Sequence, residues 1–293
     1  MDQKKNILFI INPVSGTRKK HVIPELIEKH LDKSRFDFTI TYTEAHGHAV
    51  VLAQQAAADH YDFVIAVGGD GTVNQTASGI MNTNATLGII PVGSGNGLAR
   101  HLKIPFSPVQ ALTLINQQKK ICIDGGIANG KPFFCTAGIG FDAHVGRLFA
   151  QSSRRGFHTY FRTAFKEFFM YTPHTYKLIA GETEFIKSAF SITLANASQF
   201  GNNAYISPEA DISDGMLDLC IVNVYPKTQA INLALSLFNK TLHKNKYVEI
   251  QKVKYVEIET KEADCFHCDG EHLELNGSLK IEVVPHCLKI LVP

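Results

Sequence analysis

The sequence predicts two successive folds in one chain, an α/β half followed by a sheet-rich half. Strand-like apolar runs alternate with helically spaced segments as far as Ile115, and from Lys120 the texture changes to strand pairs joined by short turns. The length of 293 residues also exceeds the ~100–200 typical of one domain. A boundary falls near residue 125, giving a first domain over 1–124 and a second over 125–285.

Residues 7–11 read as the first strand, which ends in the small, polar turn Asn12-Pro13-Val14-Ser15-Gly16. Val22, Ile23, Leu26, Ile27 and Leu31 recur at helical spacing, with Pro24 suited to a first turn. Phe36 to Thr43 alternates as a strand does, and a helix from about Gly47 gathers Val50, Leu52, Ala53, Ala56 and Ala57. Phe63 to Val67 is a buried strand, followed by a glycine-rich turn and the helical spacing of Val73, Ala77, Ile80 and Met81. Leu87 to Ile90 then runs into Pro91-Val92-Gly93-Ser94-Gly95-Asn96-Gly97, with helical residues 98–102 and 109–115 behind it. Such alternation implies a parallel sheet with right-handed crossovers, whose ligands sit at the carboxyl ends of the strands. The turns 12–16, 68–74 and 93–97 should therefore share one rim.

The turn Gly68-Gly69-Asp70-Gly71-Thr72-Val73-Asn74 carries the chemistry. Between a strand and a helix N-terminus, backbone N–H groups and the helix dipole favour an anion. Glycines let a phosphate approach, and a carboxylate among them needs a purpose, such as holding Mg²⁺ or contacting a hydroxyl. The alternative is a plain Asp-Gly tight turn. The P-loop and protein-kinase signatures are missing. Gly138-Ile-Gly140-Phe-Asp-Ala143 fits only a relaxed dinucleotide pattern, in the wrong place. No Gly-x-Ser-x-Gly hydrolase elbow occurs around Ser94, and the thirteen histidines show no triad spacing.

Hydrophobic residues make up 45% and charged residues 19%, an ordinary globular balance, and the net charge of +2 is too small to argue for nucleic acid. No apolar run reaches the ~18 residues of a membrane span, and the basic N-terminus leads into too short an apolar run for a signal peptide. The six cysteines mostly lie in apolar runs, as reduced thiols do in the cytoplasm, the default address. Cys265-Phe-His267-Cys268 is a single metal-like pair, short of the four ligands of a closed zinc site.

In the second half, 121–128 and 133–136 read as strands joined at Asn129-Gly130, a type I′ pair. Further strands are expected at 175–180, 185–195, 217–224, 247–251, 254–260 and 279–284. Residues 156–172 read as a helix with Phe157, Phe161, Phe165, Phe168 and Phe169 at helical spacing, beside Arg154, Arg155, Arg162 and Lys166. This is either a core-facing stripe with solvated basic flanks or the wall of an acyl-chain pocket whose cations face anionic headgroups. Residues 207–218 are acidic and turn-rich, oxygen donors suited to a hard cation or simply an Asp-Gly turn. Asp269-Gly270-Glu271 is another such turn.

Together, Asn12-Pro13-x-Ser15-Gly16, Gly68-Gly69-Asp70-Gly71-Thr72-x-Asn74 and Pro91-x-Gly93-Ser94-Gly95-Asn96 closely resemble the soluble lipid kinases: the bacterial diacylglycerol kinases and the eukaryotic diacylglycerol, sphingosine and ceramide kinases. The motifs match in order and spacing, over nearly the whole chain. The resemblance implies a doubly wound, phosphofructokinase-like α/β domain, then an antiparallel β-sandwich domain, with ATP in the cleft between them. It implies that residues 286–293 return to the first domain. It places the nucleotide on Asn12, Pro13, Val14, Ser15, Gly16, Thr43, Gly69, Gly71, Thr72, Val73, Asn74, Gly93, Ser94 and Asn96.

A structural Mg²⁺ is implied at the carbonyls of Asp211 and Met216 and the carboxylate of Asp214, with Asp218 as a substitute ligand. The general base is implied at Asp269 or Glu271, and Asp70 would orient the acceptor or hold the catalytic Mg²⁺. Bacterial diacylglycerol kinases commonly have Asn-Asp-Phe-Ala where this chain has Asn96-Gly97-Leu98-Ala99, closer to the sphingosine and ceramide kinases. The expected partners are ATP and a lipid met at the inner membrane face, with a homodimer compatible and nucleic acid not expected. Rival readings are an NAD-kinase-like or sugar-type phosphotransferase and a non-catalytic lipid-binding regulator.

Overall fold

A computed structural model describes residues 4–14, 20–151, 157–168, 170–261 and 265–293. The chain divides into two compact units, Met1–Ile123 with His286–Pro293, and Asp124–Pro285.

The first unit alternates strand and helix: β1 (Lys5–Ile11), α1 (Ile23–His30), β2 (Phe36–Tyr42), α2 (His48–Ala58), β3 (Phe63–Gly68), α3 (Asp70–Ile80), β4 (Thr86–Pro91), α4 (Gly97–His101) and α5 (Pro108–Gln117). β1 lies between β2 and β3, and β3 pairs with β4, all parallel. β3 and β4 are buried along their whole length, the pattern of strands covered by helices on both faces. Pro24 sits in the first turn of α1, where its missing N–H costs no helical bond. The loops after β1, β3 and β4 leave the sheet at the carboxyl ends of neighbouring strands.

The second unit begins within β5 (Lys120–Ala128), which pairs antiparallel with β6 (Lys131–Phe133) through a turn whose residues Asn129 and Gly130 both have positive φ, 46° and 79°. That is the type I′ geometry the Asn-Gly pair prefers. β7 (Thr136–Gly140), α6 (Phe141–Gln151), α7 (Phe157–Phe168), β8 (His174–Ala180) and β9 (Thr183–Ala195) follow. After the small hairpin β10 (Gln199–Gly201) and β11 (Ala204–Tyr205) come β12 (Leu217–Asn223), α8 (Ala230–Phe238), β13 (Val248–Val253), β14 (Tyr255–Glu259), β15 (Cys265–Cys268), β16 (Glu271–Glu274) and β17 (Leu279–Leu291).

The long strand β9 pairs antiparallel with β8 through its first half, and with β7 and β12 through its second. Together with β15 they bury Ile139, Tyr176, Leu178, Ile192, Leu194, Leu219 and Phe266 in one core. β17 serves both units in turn. Residues 279–282 pair with β14, and Lys289 and Ile290 pair parallel with β4.

The short strands β10, β11, β15 and β16 were not expected, nor were two helices. α6 occupies the stretch after Gly138-Ile-Gly140, and α8 fills residues between β12 and β13. No described helix is long and apolar enough to cross a membrane.

Candidate functional site

The three strand-end turns of the first unit meet. Asn12 Nδ2 donates to Thr72 Oγ1 at 3.0 Å, joining the turn after β1 to the start of α3. Asn12 Oδ1 accepts the Val14 N–H at 3.0 Å, which shapes its own turn. Asp70 reaches the third turn: its Oδ2 accepts the Asn96 N–H at 2.8 Å and its Oδ1 the Gly97 N–H at 2.7 Å. The carboxylate thus gathers the first N–H groups of α4 while standing in the first turn of α3, where negative charge is favoured by the helix dipole.

This approach is close enough to require glycine. A Cβ on Gly93 would lie 2.6 Å from the Gly69 Cα, and one on Gly95 would lie 2.4 Å from Asp70 Oδ2. Asn96 sits in the left-handed region (φ 51°), donates Nδ2–H to the Gly93 carbonyl at 2.7 Å, and keeps its Oδ1 buried without a hydrogen-bond partner. Arg100 braces the same turn: Nε–H donates to the Gly95 carbonyl at 2.8 Å, and the guanidinium lies 4.5 Å from the Phe106 ring. Sequence reasoning missed Arg100; an arginine three residues beyond a glycine-rich turn was the only local signal.

The other residues expected at the nucleotide divide by side chain. Thr43, just after β2, is buried and bonds its N–H to the Ile11 carbonyl, beside Asn12. Val73 is 4% exposed and points into the core, so only its backbone could face a ligand. Pro13, Val14, Gly71 and Ser94 are exposed, and Gly69, Asn74 and Gly93 are half-buried. Ser15 and Gly16 lie outside the described residues.

In the second unit, Asp269 occupies a left-handed turn (φ 47°) between β15 and β16. Its Oδ2 accepts the Phe134 N–H, and its Oδ1 accepts those of Cys135 and Thr136, at 2.8–2.9 Å. Glu271, at the start of β16, is exposed. Burial, reinforced by the neighbouring Asp269 and Glu271 charges, pushes the Cys268 thiol well above its ordinary range. None of the six cysteines is in a disulfide, and His267 faces Asp142 rather than a metal cluster. Asp142 Oδ2 also accepts the Thr193 hydroxyl at 2.8 Å. This buried Asp142–His267–Thr193 group was not expected from sequence; it depends on pairing three distant segments.

The acidic loop 207–218 is held by hydrogen bonds and an ion pair of its own. Asp214 Oδ1 accepts the Met216 N–H at 3.0 Å, and its Oδ2 meets the Lys252 ammonium at 2.5 Å. Lys252 also lies 3.3 Å from Asp218, directly opposite it in the β12–β13 register. Hydrogen bonding to Asp214 raises the lysine's pKa, and the Asp218 charge adds to that. Asp211 Oδ1 is taken by the Ser213 N–H and hydroxyl. The loop is further tied down by Asp124, fully buried, which accepts the Gly215 N–H at 2.7 Å. The Asp214 carboxylate implied as an Mg²⁺ ligand thus pairs with Lys252, and the Asp211 and Met216 carbonyls implied beside it belong to the same loop. Among the described residues no cluster of three or more His, Cys, Asp or Glu could hold a metal.

The aromatic helix splits between its two readings. Phe168 packs with Phe141, Phe190 and Tyr225, as a core residue does, whereas Phe165 is 62% exposed. The side chains of Phe157 and Phe161, and residues Arg154, Arg155 and Phe169, lie outside the described set.

Comparisons with known proteins identify relatives of both units. The diacylglycerol kinase catalytic domain family matches residues 6–127, and the YegS C-terminal NAD kinase β-sandwich-like domain matches residues 135–292. A protein of Chromohalobacter salexigens named "Probable lipid kinase YegS-like" is 27% identical over 283 residues, 94% of this chain and 91% of its own. One of the same name from Yersinia pestis is 28% identical over 279 residues, 92% and 93% of the two chains. Among solved structures, a diacylglycerol kinase of Bacillus anthracis superposes with a TM-score of 0.76 at 23% identity, covering 100% and 98% of the chains. An NAD kinase of Archaeoglobus fulgidus, crystallised with ATP, shares the fold more distantly, with a TM-score of 0.54 at 11% identity and 97% and 93% coverage. The chain has the two-domain architecture of an α/β domain followed by a β-sandwich, and it belongs to the YegS-like, diacylglycerol kinase-related family of lipid kinases.

Proposed function

We propose that the protein transfers the γ-phosphoryl group of ATP to the hydroxyl of a lipid of the diacylglycerol or sphingoid-base type. The observation that carries this reading is the meeting of three strand-end turns through Asn12–Thr72 and Asp70–Asn96/Gly97. Phosphoryl transfer asks a protein chiefly to position its partners and neutralise charge. Backbone N–H groups at the start of α3 and an unobstructed glycine approach suit a polyphosphate.

Asp70 accepts the Asn96 and Gly97 N–H groups at the rim where the strand-end turns meet. A carboxylate in that place also suits a hard cation. Mg²⁺ bound there would neutralise the charge on the phosphate oxygens. The other contribution of Asp70 is to fix the cradle itself.

The proton-accepting role goes to Glu271 rather than Asp269. N–H groups from Phe134, Cys135 and Thr136 hold the Asp269 carboxylate in its turn, which suits it to positioning. Glu271 is exposed to an approaching hydroxyl. Asp269 then positions the turn that presents Glu271.

The test is transfer of label from γ-labelled ATP to dispersed diacylglycerol, a sphingoid base and NAD in parallel. The reading expects labelled lipid and unlabelled NAD. Labelled NAD would favour the NAD-kinase relation that the fold shares. Absence of transfer to any lipid, despite lipid binding, would leave a binding protein and overturn the kinase reading.

A further inference from the structure

We propose that α8 seats this protein on an anionic lipid surface. The helix is apolar on two opposite faces. Leu233 is buried, packing with Ile206, Cys220, Val222, Leu242 and Val248, and Leu237 leans on the same small core. On the other side Ile231 is 73% exposed, Leu235 53% and Phe238 40%. Their spacing of four and then three residues places them in one stripe along the helix. Scattered single apolar residues on a surface need no explanation, but an aligned stripe does.

The charge around the stripe selects its occupant. Lys227, Lys240, Lys244 and Lys246 are all exposed at the ends of the helix and just beyond it. From Val224 to Val248 the sequence contains no Asp or Glu. Glu209, 3.8 Å from His243, is brought in from another segment and offsets one charge. Two of the lysines rest on aromatic rings: Lys240 lies 4.5 Å from the centre of Tyr205 and Lys246 5.1 Å from that of Tyr247. An apolar stripe rimmed by lysines, with aromatic rings at their level, is the arrangement that lies in a bilayer interface and gains from anionic headgroups. A partner protein's apolar patch would match the stripe but not the lysines at its ends. The whole chain is only +2, so the attraction is local to this face.

The inference rests on the lipid-acceptor reading above, since such an acceptor is delivered by a bilayer. Its test is kept separate from phosphoryl transfer. Co-sedimentation with vesicles of phosphatidylcholine, with and without phosphatidylglycerol, is measured without ATP. The wild type should partition onto the anionic vesicles and be released by salt. The variant Ile231→Ser/Leu235→Ser/Phe238→Ser should lose at least about tenfold in partition, and Lys227→Glu/Lys244→Glu should lose about fivefold or more per charge. Because the altered side chains are exposed, the melting temperature should be unchanged; if the serine variant unfolds, the charge variant carries the test. Turnover on a monomeric short-chain acceptor should survive both changes, while turnover on vesicles falls. Loss of short-chain turnover in the wild type would count against the kinase reading alone. Equal partition of wild type and variants would overturn the docking role of α8, as would a change from dimer to monomer in the serine variant with partition unaltered.

Discussion

Asp70 and Asp269 are both carboxylates set in Asp-Gly turns, and both gather backbone N–H groups from a segment distant in sequence. Their difference lies in what they join. Asp70 accepts the N–H groups of Asn96 and Gly97, one on each oxygen, from the first turn of a helix, with Gly95 packed closely against it. Asp269 accepts those of Phe134, Cys135 and Thr136, and its turn is held to the residues that open β7. The same residue type thus ties two strand-end turns together in one place, and a turn to the start of a strand in the other. An Asp-Gly pair in sequence does not distinguish the two; the segment whose N–H groups converge on it does.

Replacing each by asparagine breaks or sharpens that comparison. An amide keeps one acceptor and turns an NH₂ against an N–H, so each change should cost about 1–3 kcal/mol of stability. In Asp70→Asn, turnover with lipid should fall by about 10³-fold or more, well beyond what the lost stability explains. In Asp269→Asn, turnover should fall only as far as the Glu271 turn loosens. Thermal melting alongside kcat and KM separates the two effects. If both variants lose turnover equally, Asp70 is no more than a fastener. The partner experiment, Glu271→Gln, should lower kcat by about 10²–10⁴-fold while leaving the melting temperature unchanged, since the side chain is exposed. An unaltered kcat would return the base to Asp269.

Gly93→Ala probes the same region from the backbone. Its new Cβ would meet the Gly69 Cα at 2.6 Å, so the two turns must separate. The expected loss is about 1–3 kcal/mol, with a raised KM for ATP. The matched change at Gly71, where a Cβ would meet nothing within 4 Å, should cost only about 0.5 kcal/mol or less.

How much of this was legible in the sequence depends on the distance over which each signal acts. The turns at 12–16, 68–74 and 93–97 announced themselves because glycine, asparagine and aspartate are chosen by local backbone geometry, and the alternation around them fixed their common rim. Asp269-Gly270-Glu271 stood out as a turn for the same reason, without a choice between its two carboxylates. Asp142–His267–Thr193, Asp124–Gly215 and Lys252–Asp218 were not, because each is made by strand register or loop return, which leaves no local periodicity. Asp124 offered one weak hint, a carboxylate inside the apolar run Ile121 to Ala128. α8 was missed for a different reason. With Leu233 facing the core and Ile231, Leu235 and Phe238 facing outward, it is apolar on both sides, so the polar half of the usual helical period is absent.

The acidic loop extends the comparison to a third carboxylate site, where the bound cation is part of the chain. Lys252 is about half exposed, so its pairing is screened, and Lys252→Met should cost about 1–2 kcal/mol, less than the loss of a fully buried pair. The lysine's pKa is raised in the folded protein. Its contribution is therefore complete below the ordinary lysine value of about 10.4 and disappears as pH rises through the higher folded value. The difference in melting temperature between wild type and Lys252→Met should accordingly shrink only in strongly alkaline solution. The variant leaves Asp214 and Asp218 without their ammonium, and oxygen donors so exposed to one another should recruit a divalent ion. Magnesium, added without nucleotide, should then raise the melting temperature of Lys252→Met and leave that of the wild type where it was. A wild type already stabilised by magnesium, with the gain lost in Asp214→Asn, would mean that a metal displaces Lys252 from this loop and that the two kinds of cation compete for it.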